Sequence, residues 1–108
     1  MIYDFRIYEA VDGKAEAMRT RFFQEVASKF FPRHGIELVG AFVGLKEDGC
    51  LTYITRFVDD AAREKAWAAF SADPDWAKVK AASEAEGPLL KQQTVTVLSS
   101  AISGLVLD

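Results

Sequence analysis

Hydrophobic and polar residues alternate with period two over I-Y-D-F-R-I-Y-E, from Ile2 to Glu9, the pattern of a β-strand that sends Tyr3, Phe5 and Ile7 to one face and Asp4, Arg6 and Tyr8 to the other. The second face is unusually polar for a strand expected at the centre of a sheet. It reads either as a solvent-facing surface, which antiparallel sheets tolerate, or as the lining of a cavity. After the turn at Asp12-Gly13 the period changes. Met18, Phe22, Val26 and Phe30 recur every four residues with Ala15, Phe23 and Ala27 beside them, which predicts a helix ending near Phe30 with one buried face. Phe31 before Pro32 stops it, because the residue preceding proline avoids the helical region. The segments 36–45 and 50–58 predict two strands joined into a hairpin across Lys46-Glu47-Asp48-Gly49, and the glycines Gly40 and Gly44 inside the first suggest a bulge or a close approach by another backbone.

The stretch from Val58 to Trp76 carries the clearest start and stop signals. Asp59 and Asp60 are placed to cap free N–H groups at the positive end of a helix, and Arg63, Ala66, Trp67 and Phe70 fall on one stripe that must be buried. Asp73-Pro74 closes that helix and opens a second, short one through Trp76, Val79 and Ser83, which Gly87-Pro88 terminates. Alternation returns over Gln92–Leu98 as a fourth strand, and an apolar tail runs from Ala101 to Leu107. The order strand, helix, strand, strand, helix, strand predicts an α+β, ferredoxin-like fold. Its four-stranded antiparallel sheet would carry the helices on one face, since right-handed crossovers put both there. Leu38, Phe42, Ile54, Val95 and Val97 then appear too apolar for the other face to stay wet. A second copy packed sheet to sheet, a homodimer through the helix-free face, is the economical cover.

At 108 residues the chain is expected to be a single domain, 1–108, with 101–108 as the tail. A net charge of -3 with no basic stripe argues against a nucleic-acid partner. No apolar run approaches the length of a membrane span. The lone cysteine, Cys50, allows no internal disulfide, so a reducing cytoplasm is the default location. With His34 the only histidine, no multi-histidine metal site can be built within one chain, and neither metal nor cofactor is expected. His34 itself reads as a surface or hydrogen-bonded loop histidine, or else as a base. The remaining polar cluster is Asp4, Arg6 and Tyr8, joined by Arg56 if a parallel neighbour strand brings it close. It reads as a structural salt bridge, or as a ligand site in which guanidinium and phenol groups stabilise charge on the oxygen of an anionic or enol-bearing molecule. Arg6, Tyr8 and His34 are the candidates for chemistry; Asp4, Arg6, Tyr8 and Arg56 are those for ligand binding.

Several motifs together resemble the NIPSNAP family: R-x-Y at Arg6 and Tyr8, L-V-G-x-F at Leu38, Val39, Gly40 and Phe42, Y-x-x-x-F-x-D-x-A-x-R from Tyr53 through Phe57, Asp59, Ala61 and Arg63, and D-P-x-W at Asp73, Pro74 and Trp76. Thr55 departs from the pattern, standing where the family commonly has an aromatic residue. The resemblance implies a dimeric α+β barrel, two ferredoxin-like domains closing their sheets on each other. Relatives of that fold include cofactor-free monooxygenases, small-molecule isomerases and haem enzymes, while the family itself has no settled activity. Two functions of different class follow: a small-molecule binder or cofactor-independent enzyme with a pocket between helices and sheet, and a non-enzymatic structural or interaction protein whose dimer surface is its function.

Overall fold

The structure is a computed structural model and describes residues 1–101. The expected tail beyond Ala101 lies outside the described residues. β1 (Ile2–Ala10) leads into a continuous helical run made of α1 (Ala15–Arg21), a π-helical stretch (Phe22–Phe30) and a last turn, α2 (Phe31–Arg33). β2 (Glu37–Phe42) and β3 (Cys50–Phe57) form the hairpin, and α3 (Asp60–Ala72), α4 (Pro74–Ser83) and β4 (Leu90–Ser99) complete the chain. The sheet order is β2-β3-β1-β4 with every described pairing antiparallel, the ferredoxin-like arrangement.

Sequence signals account for most of these boundaries. The Asp59 carboxylate accepts from the Ala62 N–H at 2.8 Å and starts α3. Asp73 accepts from the Asp75 N–H at 2.9 Å and caps α4, with Pro74 in its first turn. Gly35, at φ +68°, supplies the left-handed residue that turns the chain from α2 towards β2. The pairing of β2 with β3 slips between Leu38 and Gly40, so a bulge sits at the first glycine, and the Phe42 ring lies where a Gly40 side chain would stand.

The π-helical stretch departs from the expected plain helix. Steps of four residues drift by about 40° per step on an α-helix, so Met18, Phe22, Val26 and Phe30 would spiral off one face. A wider turn, closed by the Phe31 N–H bonding five residues back to the Val26 carbonyl, holds all four in the core. Phe23, expected beside that stripe, is carried outward instead and is 47% exposed.

Ring contacts of Phe22, Phe31 and Trp67 with Tyr8, Tyr53 and Phe57 place the helices on one sheet face. The strand register puts Asp4, Arg6 and Tyr8 on that face, opposite Thr55, Tyr53 and Leu51, while Tyr3, Phe5 and Ile7 share the helix-free face with Arg56, Ile54 and Thr52. The polar row of β1 therefore points into the protein. Two expectations change with it. β1 and β3 are antiparallel neighbours, so Arg56 lies on the opposite side from Asp4, Arg6 and Tyr8. Leu38, Val95 and Val97 pair with Thr55, Arg6 and Asp4 and so belong to the helix side, leaving Phe42, Ile54, Phe5, Ile7 and Leu98 as the apolar set of the free face. Val95 and Val97 remain 43% and 44% exposed because the helices do not reach across the edge strand.

Candidate functional site: a cationic cleft between helices and sheet

Asp4 is fully buried beneath α3. One of its carboxylate oxygens accepts from Trp67 Nε1 at 2.5 Å and from an Arg6 guanidinium nitrogen at 3.2 Å; the other faces Arg63 at 3.6 Å. A buried carboxylate is tolerated only with such partners, and here two guanidiniums and an indole supply them. Thr55, directly across the pairing, is also fully buried, and its hydroxyl makes no hydrogen bond. The network fixes Arg6. Its guanidinium carbon stacks 3.8 Å from the centre of the Trp67 ring, a cation–π contact in a desolvated setting. Among the described residues only the nitrogen facing Asp4 finds a hydrogen-bond partner, and buried Nε finds none.

Two residues further along β1, the Tyr8 hydroxyl lies 2.6 Å from that of Tyr53. Tyr53 is fully buried, packed by the rings of Phe22 and Phe31. Burial, reinforced by the negative end of Tyr8, pushes the Tyr53 hydroxyl well above the usual phenol pKa, so it stays protonated. Arg6 and Tyr8 both open onto a cleft of about 460 Å³ between the sheet, the first helical run and α3–α4. Trp67, Trp76 and Phe70 give it aromatic walls; Arg21 and Lys80 add positive charge. Arg21 is committed, bonding Ser83 Oγ at 3.1 Å and Glu84 at 2.8 Å and thereby tying α1 to α4. A site of this size, with aromatic walls and convergent polar groups, suits a small organic molecule with a negative or ionisable oxygen. A larger concavity, about 740 Å³ between α1 and α4, holds no comparable convergence of charge and rings.

The remaining sequence candidates lie elsewhere. Arg56 bonds Glu37 on the helix-free face, outside the cleft. His34 Nε2 donates to the Asp73 carboxylate at 2.8 Å, beside Arg33, which donates to it at 2.9 Å. Burial alone would raise the Asp73 pKa, but hydrogen bonds from His34, Arg33 and the Asp75 N–H override it and hold the carboxyl at about 2. His34 thus fastens the end of α2 to the start of α4 and does not line the cleft. Burial raises the Cys50 thiol pKa, with Asp48 and Glu9 adding to it, which leaves it a poor nucleophile. Sequence reasoning missed Tyr53, Arg21 and Lys80. Tyr53 was within reach: it shares the odd-numbered parity of Leu51 and Phe57, and a tyrosine on a buried face needs a partner for its hydroxyl. Among the described residues no cluster of side chains fit for a metal ion occurs, and no helix is long and apolar enough to cross a membrane.

Among solved structures, an uncharacterised NIPSNAP-like domain protein from Burkholderia xenovorans is 20% identical with a TM-score of 0.81, covering 99% of this chain and 90% of that one. The protein Atu4242 from Agrobacterium tumefaciens is 22% identical with a TM-score of 0.79, over 98% of this chain and 100% of that one. An antibiotic biosynthesis monooxygenase is 15% identical with a TM-score of 0.66, over 94% of this chain and 100% of that one. At such identities these likenesses establish a shared fold. No curated protein sequence matches significantly. The NIPSNAP family model matches residues 3–103, nearly the whole chain and every motif that carried the resemblance, and the protein belongs to that family.

Proposed function

We propose that the protein binds a small phenolic or carboxylate-bearing aromatic molecule in this cleft, one per protomer of a homodimer in a reducing cytoplasm, and promotes a reaction that starts from the ionised substrate. One observation carries the reading: a guanidinium laid on a tryptophan face and a tyrosine hydroxyl, two residues apart on one strand, open onto the same aromatic-walled cleft. Arg6 would hold an anionic oxygen, Tyr8 would donate a hydrogen bond to it, and Trp67 and Trp76 would flank the ring. Stabilising a phenolate or enolate oxygen this way produces the electron-rich form from which both oxygenation by O₂ and proton-shift isomerisation proceed. The likeness to an antibiotic biosynthesis monooxygenase supports that direction only at the level of fold.

The dimer part rests on the helix-free face, where Phe42 and Leu98 are exposed and Phe5, Ile7 and Ile54 are partly so. A contiguous apolar surface of this kind on a small protein calls for a partner, and a second copy offers a self-complementary one. Both tryptophans of the chain line the cleft, so intrinsic fluorescence reports its occupancy. Titration with 4-hydroxybenzoate should quench it saturably, and Arg6→Ala should weaken binding about tenfold or more, the loss of a charge-assisted hydrogen bond. Benzyl alcohol, which lacks the charge, should bind far more weakly. Quenching that never saturates, or equal affinity in Arg6→Ala, would refute the cleft as the site.

A further inference from the structure

The Tyr8–Tyr53 contact has a direction that burial dictates. Two hydroxyls 2.6 Å apart share one proton, and the second proton must point elsewhere. Were Tyr8 the donor, the Tyr53 proton would face the packed rings of Phe22 and Phe31, and among the described residues the Tyr53 hydroxyl has no partner but Tyr8. A donor orphaned in that setting is costly. With Tyr53 as donor both protons are satisfied, because Tyr8 borders the cleft and can donate there to water or to a ligand.

We propose that Tyr53 is a positioning residue for the cleft: its buried hydroxyl donates to Tyr8, so that Tyr8 is held as the donor aimed at a phenolate or enolate oxygen of the ligand. This rests on the cleft reading above and adds a residue that does not touch the ligand. The chain of two donors is cooperative, since a hydroxyl that accepts a hydrogen bond becomes the better donor at its own proton only while its acceptor role is filled. The charges that line the cleft with Tyr8 are Arg6, Arg21, Lys80 and Glu84, with Asp4 behind Arg6, and the excess is positive, which suits an anionic ligand oxygen beside the Tyr8 hydroxyl. Burial keeps Tyr53 protonated, as a donor must be.

Tyrosinate absorbance measured against pH, without ligand, tests the direction. The chain has three tyrosines, so Tyr8→Phe and Tyr53→Phe assign the titrating groups against a constant Tyr3. In Tyr8→Phe the Tyr53 titration should move down, because the protonated Tyr53 hydroxyl loses the acceptor that holds its proton. An unchanged or raised Tyr53 titration would overturn the proposal. A second arm uses 4-nitrophenol, whose colour distinguishes phenol from phenolate. The wild type should bind the phenolate, Tyr8→Phe should lose about tenfold in affinity, and Tyr53→Phe, which keeps the ring and its packing, should lose several-fold. Equal affinity in wild type and Tyr53→Phe would also overturn the proposal. If 4-nitrophenol fails to bind the wild type, the cleft reading fails, while the ligand-free titration still decides the Tyr53-to-Tyr8 direction.

Discussion

The two faces of the sheet invert the usual arrangement of a small α+β domain. On β1 the helix-covered face carries Asp4, Arg6 and Tyr8, and the helix-free face carries Tyr3, Phe5 and Ile7. A monomer built only for stability would place these rows the other way round. The inward row is tolerated because each polar residue finds a partner from the opposite layer or a neighbouring strand: Trp67 and Arg63 for Asp4, the Trp67 ring for Arg6 beside its own-strand partner Asp4, and Tyr53 for Tyr8. In the outward row Tyr3 is buried, but Phe5 and Ile7 remain partly exposed in the single chain. That difference is what the proposal of a ligand on one face and a second copy on the other rests on.

Removing the anion of the inner face should produce the largest effect. Asp4→Ala leaves Arg6 and Arg63 without their buried counter-charge and the Trp67 N–H without an acceptor, and should cost about 3–5 kcal/mol by chemical denaturation. Ile54→Asp acts on the other face. It should weaken self-association about thirtyfold, the ~2 kcal/mol of a central interface residue, as read by sedimentation or light scattering across a dilution series. A wild type that stays monomeric at high concentration would break the comparison at its outer half. Trp76→Ala, at a half-buried ring packed against Phe30 and Phe70, should cost about 2–3 kcal/mol, less than a fully buried aromatic.

The smallest effect concerns pH. Asp73 has a folded pKa of about 2, below its ordinary 3.8, so its contribution to stability is present above that ordinary value and is lost as pH falls from about 4 towards 2. Asp73→Asn should flatten the stability profile over that interval while leaving the inner-face network intact. Thermal melts between pH 5 and 2 would show it, and parallel profiles for the two proteins would remove Asp73 from the account.

Much of this architecture was legible in the residues. Asp59, Asp73 and Pro74 mark helix ends because capping is local chemistry. The alternation in β1, β3 and β4 marks strands because side-chain period is a local property too. Which face of β1 would turn inward was not legible: alternation defines two rows but is silent on which meets the helices. Asp4 and Tyr8 find their partners 63 and 45 residues away. The assignment of Arg56 to the same cluster failed for that reason. Its parity with Ile54 put it rightly on the helix-free face, and the polar row was on the other side. The π-helical stretch was hidden similarly, since a four-residue repeat fits a drifting α-helix until Tyr8 and Tyr53, packed on Phe22, and Phe70 and Trp76, packed on Phe30, require the stripe to stay aligned. Cleft residues from α4, such as Lys80, carry no local signal, because that helix buries no residue fully and its polar positions look like an ordinary solvated face.

The most direct measurement follows backbone and indole N–H resonances during titration with 4-hydroxybenzoate. Shifts concentrated at the two indoles, Arg6, Tyr8 and Lys80, with Arg56, Ile54 and Phe42 unmoved, are the result the account predicts. Shifts confined to the helix-free face, or to the groove between α1 and α4, with the two indoles unmoved, would contradict it.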